Sequence, residues 1–453
     1  MFNKVLIANR GEIAVRIIRS CRELGLSTVA VCSEADRLAL HAQIADETIC
    51  IGPADSRESY LNIPAILSAC SIAGAGALHP GFGFLSENAE FARRLEQCGI
   101  KYIGPKAEVI EQMGNKIHAK QLMNNNGIPV IPGSEGIIDN VEDAGLLAAD
   151  IGYPILIKAS AGGGGKGIRL VLENSDLEKS FFAAQQEAEN YFGDKSVYIE
   201  KYLLSPRHIE IQILADCYGN VVHLGERDCS LQRRNQKVLE ESPSPASQLS
   251  KDLRQRMGNM AVEAAKVCNY QNAGTIEFLL DSYGNFYFME MNTRIQVEHP
   301  ITEMVTGIDI VKSQIKIAQG KTLEFSQNDV VMRGHAIECR INAESPEKQF
   351  RPSPGTIKDI HIPGGPGIRV DDAIYAGYTI PPHYDNMIAK LIAYAPTRNE
   401  AIAKMKWALS EFLIDGVDVN IDFLLKLINT VTFTKGDYNI QWLNQYIMER
   451  KEG

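Results

Sequence analysis

A chain of 453 residues, 45% hydrophobic and 23% charged, is too long for one compact core and has the make-up of a soluble, multidomain globular protein. Its net charge of −10 gives no general attraction for nucleic acid or an anionic membrane, so any phosphate it binds must be held by local groups. The nine cysteines are scattered singly, without a Cys-x-x-Cys pair, which argues against a disulfide framework or a zinc ribbon and for a reducing, cytoplasmic setting.

Met1 leads directly into the apolar run 4–8 (KVLIA), with no signal-peptide pattern. No apolar run approaches the roughly 20 residues that span a bilayer. Asn9-Arg10-Gly11-Glu12 follows, then a helical pattern with Ile13, Ile17, Ile18, Cys21 and Leu24 on one face, stopped at Gly25. Residues 28–32 form the next apolar run. Strand, turn, helix and strand make a βαβ unit, which implies a parallel sheet. The pattern continues through 48–51, a helix at Ile63–Ala73, and strands at 75–78 and 102–104. Gly-x-Gly-x-x-Gly does not follow the first strand, so this doubly wound region is not expected to bind a dinucleotide. A helix at 116–126 ends at Gly127, and strands and helices alternate to about Gln319. From Gly334 onward short strands are separated by Pro/Gly turns, with helices at 399–411 and 423–429.

Four stretches carry chemistry. Strands 155–158 and 168–172 flank Ala161-Gly162-Gly163-Gly164-Gly165-Lys166-Gly167, a hairpin whose backbone N–H groups can wrap a polyanion, aided by Lys158 and Lys166. It is not a P-loop, since no Gly-Lys-Ser/Thr opens a helix here; the alternative is a flexible hairpin tip, which the flanking lysines disfavour. Strands 275–280 and 286–291 are joined by Asp281-Ser282-Tyr283-Gly284-Asn285. A ladder closing at Asp281–Phe286 puts Glu277 opposite Glu290, and a divalent cation between them would relieve the repulsion. If the chain stays extended, Glu290, Asn292, Arg294, Gln296 and Glu298 all project to one side. That is the pattern of a reaction centre beside a metal pair, or of a solvated edge strand. The run from Arg227 to Lys237 holds four cations in an acidic chain and reads as a local anion site or a surface patch. Arg340, flanked by Glu338 and Glu344 after a strand, reads alone as structural.

These residues resemble the biotin carboxylase family of ATP-grasp ligases over nearly the whole chain. Asn9–Ala14 (NRGEIA), 79–88 (HPGFGFLSEN), 290–300 (EMNTRIQVEHP) and 340–344 (RINAE) look like its signatures, and the stretch 289–300 is the most specific. The resemblance implies an α/β and α+β multidomain fold. A Rossmann-like N-terminal domain would occupy 1–114, an ATP-grasp domain 115–330 with a mobile lid at 132–202, and an α+β C-terminal domain 331–447.

It also implies roles. Lys116 and Lys158 would meet ATP phosphates, with Gly164 and Gly165 closing over them. Glu200, Lys201, Tyr202 and Leu203 would hold adenine, with His208 near the nucleotide. Glu277, Glu290 and Asn292 would hold Mg²⁺ or Mn²⁺. Lys237, Arg294, Gln296 and Val297 would bind bicarbonate, Glu298 would be the general base, and Arg340 would face the biotin ureido oxygen. Where the family usually has His in Arg-Arg-His-Gln-Lys, this chain has Asn235, which leaves an amide as the possible nucleotide contact.

The expected reaction is ATP-dependent carboxylation of biotin from bicarbonate, most simply for an acetyl-CoA carboxylase. A pyruvate or other acyl-CoA system, a different ATP-grasp ligase and a non-catalytic nucleotide-binding regulator stay open. The biotin attachment signature Ala-Met-Lys-Met is missing, and Ala403-Lys404-Met405-Lys406 is a scrambled neighbour on a helix. Biotin is therefore expected on a separate carboxyl carrier protein, with carboxyltransferase subunits as further partners. Arg16, Arg19 and Glu23 share a face of the first helix. Family members dimerise there, so a homodimer is expected.

Overall fold

The structure, a computed structural model, describes residues 2–160 and 167–452. The expected βαβ alternation forms β1 (Lys4–Ile7), α1 (Gly11–Glu23), β2 (Ser27–Cys32), β3 (Glu47–Cys50), β4 (Ala77–His79) and β5 (Lys101–Tyr102). The five strands pair in parallel in the order β3-β2-β1-β4-β5. Ile13, Ile17, Ile18 and Cys21 of α1 are buried against the sheet, as their spacing requires. The turn after β1 is tied to the turn after β4, because Asn9 Nδ2 donates to the carbonyls of Pro80 and Phe82 at 2.7 Å each. Gly81, at φ +63°, lies so close that a Cβ would meet Asn9 Nδ2 at 2.8 Å, so glycine is needed there.

A smaller antiparallel sheet follows, from β6 (Ile155–Ala159), β7 (Ile168–Val171) and β8 (Val197–Lys201), in the order β7-β6-β8. Its apolar side rests on helices Val141–Ile151 and Leu177–Phe192, with a core of its own around Ile155, Ile157, Phe181 and Ile199. Gly164, Gly165 and Lys166 lie outside the described residues.

The largest sheet has eight strands. It contains β9 (Arg207–Ala215), β10 (Val221–Arg233), β11 (Gln236–Ser242), β12 (Asn272–Leu280), β13 (Phe286–Asn292) and β14 (His335–Asn342). They run in the order β13-β12-β9-β10-β11-β14 and continue through Met387–Ala395 to Ile368–Asp372. All neighbours are antiparallel, and the sheet crosses the change of pattern near Gly334 without a break. Strict alternation in β9 sends Ile209, Ile211 and Ile213 into the core with helix Lys251–Val267. It sends His208, Glu210 and Gln212 to the other face, where they are also buried. That face carries the site. Helices Arg398–Glu411 and Ile421–Ile428 back the C-terminal strands.

Three expectations need correction. The hairpin pairs Leu280 with Phe286 and Phe278 with Phe288, and a bulge at Met289 then brings Glu277 opposite Glu290. The facing pair is reached through that extra residue, not through a ladder closing at Asp281–Phe286. Strand β13 stops at Asn292, and Glu298 begins helix His299–Thr306. Arg294, Gln296 and Glu298 therefore converge through the irregular segment 293–298 between the strand end and the helix. Arg340 lies inside β14 and does not follow it.

Candidate active site

A cavity of about 1040 Å³ opens between the three regions. The Asn9–Glu12 turn and Phe82–Phe84 form one wall, Lys116, Lys120, Lys158 and Glu200 another, and the polar face of the large sheet the floor. Arg340, Asn342 and Asn386 close the C-terminal end.

Glu277 is the hub of the floor. Its Oε1 accepts from Asn292 Nδ2 at 2.6 Å, Gln296 Nε2 at 3.0 Å and Lys237 Nζ at 3.3 Å, while His208 Nε2 lies 2.8 Å from Oε2. Burial alone would raise its pKa, but Lys237 and His208 hold it well below the usual carboxylate range. Glu290 faces the cavity half-buried, 3.0 Å from Lys116 Nζ. Asn292 Oδ1 accepts from Arg294 Nη2 at 3.1 Å.

The two carboxylates and the amide oxygen are hard donors, and Glu290 is open to the cavity, so the set fits Mg²⁺ or Mn²⁺ shared with phosphate oxygens. His208, Glu210 and Glu277 also bring ligand atoms within 4.8 Å of one another. Arg227 and Lys237, at 2.5 and 2.7 Å, already neutralise Glu210, so that trio is the poorer metal set.

Beyond the hub sits Glu298, fully buried at the start of helix His299–Thr306. Lys237 Nζ donates to its Oε1 at 2.6 Å and Arg340 Nη2 to its Oε2 at 2.9 Å. Burial opposes ionisation, yet these two cations keep the carboxyl well below its ordinary pKa. Arg340 is itself held by Glu240, at 2.7 Å from Nε and 2.6 Å from Nη2. Arg294 reaches Gln296 Oε1 at 2.8 Å and Glu87 Oε2 at 2.7 Å. Val297 lines the cavity, and its carbonyl accepts from the buried Lys390 at 2.9 Å.

The remaining residues divide. Lys158 and Lys120 both contact the buried Glu200. Lys201 points away, donating to the carbonyls of Gly152 and Tyr153, and the Tyr202 hydroxyl meets Gln441. Neither these two nor Leu203 lines the cavity. Asn235 does line it, at φ +66° in the turn between β10 and β11 beside Arg234 at φ +50°, a conformation asparagine tolerates. Three of the four cations of the 227–237 run are already paired, and the fourth, Arg234, is exposed. Arg227 is buried on Glu210, Arg233 pairs with Glu344 at 2.9 Å, and Lys237 serves Glu210, Glu277 and Glu298.

No role is foreseen from the sequence for Glu87, Glu210, Glu240 or Lys390. Two had a signal in the sequence. His208, Glu210 and Gln212 alternate with isoleucines, and Glu87 sits in the 79–88 signature.

Family models place the same architecture on the chain. "Biotin carboxylase, N-terminal domain" matches residues 1–110, "Carbamoyl-phosphate synthase L chain, ATP binding domain" matches 115–326, and "Biotin carboxylase C-terminal domain" matches 338–445. Biotin carboxylase 1 of Bacillus subtilis is 58% identical over 98% of this chain and 99% of its own. The chain belongs to the biotin carboxylase family. It is an ATP-dependent ligase of the ATP-grasp type, with the biotin carboxylase activity of biotin-dependent carboxylases.

Other members of the family span several holoenzymes. One pyruvate carboxylase subunit, from Methanothermobacter thermautotrophicus, is 53% identical, over 98% of this chain and 90% of its own. The biotin carboxylase–βγ-ATP complex from Campylobacter jejuni superposes with a TM-score of 0.93 at 49% identity, covering 98% of this chain and 99% of that one. The biotin carboxylase domain dimer of Hydrogenobacter thermophilus 2-oxoglutarate carboxylase, solved with MgADP, ADP and bicarbonate, gives 0.91 at 50% identity and covers 98% of each chain.

Proposed function

We propose that this chain uses ATP and bicarbonate to carboxylate N1′ of biotin on a separate carrier protein, as the first half-reaction of an acetyl-CoA carboxylase. The observation that carries this reading is Glu298, buried between Lys237 and Arg340 one step from the Glu277–Glu290 pair.

Lys116 and Lys158 would take the ATP phosphates. Asn235 would offer an amide to the nucleotide, and Glu200, which lines the cavity, would hold the adenine. Glu277, Glu290 and Asn292 would hold Mg²⁺ or Mn²⁺, which neutralises phosphate charge as the phosphoryl group moves. Bicarbonate would sit among Lys237, Arg294, Gln296 and Val297. Its arrival gives Lys237 a further anion, which loosens its hold on Glu298 and raises that carboxylate toward the basicity a general base needs.

Glu298 would then take the bicarbonate proton as its oxygen attacks the γ-phosphate, giving carboxyphosphate and ADP. Breakdown to CO₂ and phosphate, with phosphate accepting the N1′ proton, leaves negative charge on the ureido oxygen. Arg340 would face that charge as a fixed cation. The separate small sheet over the nucleotide would close as a lid, since water would otherwise hydrolyse carboxyphosphate.

Arg16 and Arg19 on α1, beside Glu303 and Arg369, would form the face of a homodimer. No described helix is long and apolar enough to cross a membrane, in keeping with a cytoplasmic enzyme.

ATP hydrolysis measured with free biotin tests the reaction: it should rise with added bicarbonate, and indifference to bicarbonate would overturn it. The presence of a pyruvate carboxylase component among the relatives makes the acyl acceptor the second question. Co-purification of an acetyl-CoA rather than a pyruvate carboxyltransferase with the biotinylated carrier would decide it.

A further inference from the structure

Strands β11 and β14 pair Glu240 directly with Glu338, so two carboxyl groups share one face of the sheet across the ladder, where like charges repel. Both are fully buried. Glu240 Oε1 accepts from Arg340, but its Oε2 and both oxygens of Glu338 have no hydrogen-bond partner among the described residues.

Among the described residues no nearby cation is free for Glu338. Arg340 is shared by Glu240 and Glu298. Lys390, opposite Arg340 on the next strand, donates to the Val297 carbonyl at 2.9 Å and pairs with Glu12 at 3.1 Å. A buried carboxyl without a donor or a cation of its own is neutral. Burial, with Glu240 adding to it and Lys390 opposing, raises Glu338 well above the usual carboxylate range, while burial lifts Glu240 to about 7. The contacts decide which of the two holds the proton: the Nε–H bond and the charge of Arg340 favour the ionised form of Glu240, so the proton resides on Glu338.

We propose that Glu338 is a protonated positioning residue whose O–H donates to the unpartnered Oε2 of Glu240, fixing the Glu240–Arg340–Glu298 chain behind the reacting groups. The inference rests on the roles assigned above to Arg340 and Glu298. Without the donated proton, Glu240 itself would be the group to protonate, and Arg340 would lose the acceptor that orients it.

Infrared difference spectra of the intact protein at mildly alkaline pH test the proton directly. Glu338→Gln should abolish one carboxylic-acid C=O band that shifts in heavy water. No lost band would overturn the proposal, whatever the activity. Bicarbonate-dependent ATP turnover with free biotin tests the positioning. Glu338→Gln, whose amide can donate in place of the O–H, should keep kcat within about threefold. Glu338→Leu should lower it roughly tenfold or more with the KM for ATP unchanged. Equal losses in the two variants would refute the donor role. The infrared comparison needs only the Gln variant, so it holds whether or not the Leu variant folds. Should the parent protein show no bicarbonate-dependent turnover, the carboxylase reading fails while the band still reports on Glu338.

Discussion

Glu298→Gln is the sharpest perturbation of the proposed chemistry. The amide keeps the shape of the carboxylate, and Gln is tolerated at a helix start, so the fold should survive. It removes the proton acceptor and the anion that pairs with Lys237 at 2.6 Å and Arg340 at 2.9 Å. Hydrogen bonds to charged groups contribute about 1.5–3 kcal/mol each, and part of that loss falls on the ground state. Loss of a general base costs about 10²–10⁴-fold, or about 3–5 kcal/mol at 1.36 kcal/mol per tenfold. Lys116 and Lys158 are untouched, so the KM for ATP should stay within about threefold while kcat falls at least a hundredfold. Steady-state release of ADP at saturating bicarbonate and free biotin gives both constants. A kcat within fivefold of the parent would falsify the assignment of Glu298 as base.

Other outcomes follow from the same geometry. Glu277→Gln replaces one of the facing carboxylates with a weaker ligand, so the Mg²⁺ needed for half-maximal ATP turnover should rise about tenfold or more; an unchanged metal titration would contradict the pair as metal ligands. Lys158→Ala should raise the KM for ATP about tenfold, by the loss of one charged contact, and equilibrium binding of ATP would reveal the opposite. His41 is fully buried, with Nε2 3.2 Å from the Val31 carbonyl, and burial pushes its pKa from 6.5 to about 4. The fold favours the neutral ring while the unfolded chain protonates near 6.5. The stability this group contributes at neutral pH is therefore lost as pH falls from 6.5 to about 4, by something on the order of 3 kcal/mol. Urea midpoints should drop further for the parent than for His41→Gln over that window; an equal drop would rule out the histidine.

Most of the fold is legible in the sequence because it is written in periodicity. The doubly wound start, the glutamate hairpin and the C-terminal helices all lie where apolar spacing puts them. Without the family resemblance, the site was legible only where its residues sit on one segment. Glu277 and Glu290 share a hairpin, so counting across its turn finds them, although the Met289 bulge that aligns them leaves no mark in the composition. An extended stripe to Glu298 does not form, because the strand stops at Asn292 and a helix starts at His299. Glu210 reaches Lys237 across two strand pairings, and Glu240 reaches Arg340 over one hundred positions. No local pattern encodes such distances. Partners of this kind appear only when the strand order is known, and that order is set by where the long connections return.

The unbroken eight-stranded sheet makes the chain hard to divide. Cutting it before Gly334 would strip β14 from β11 and leave residues 236–242 as a naked edge of unpaired backbone, the kind of surface on which sheets from other molecules stack. Such a fragment would precipitate rather than serve as an isolated nucleotide-binding half.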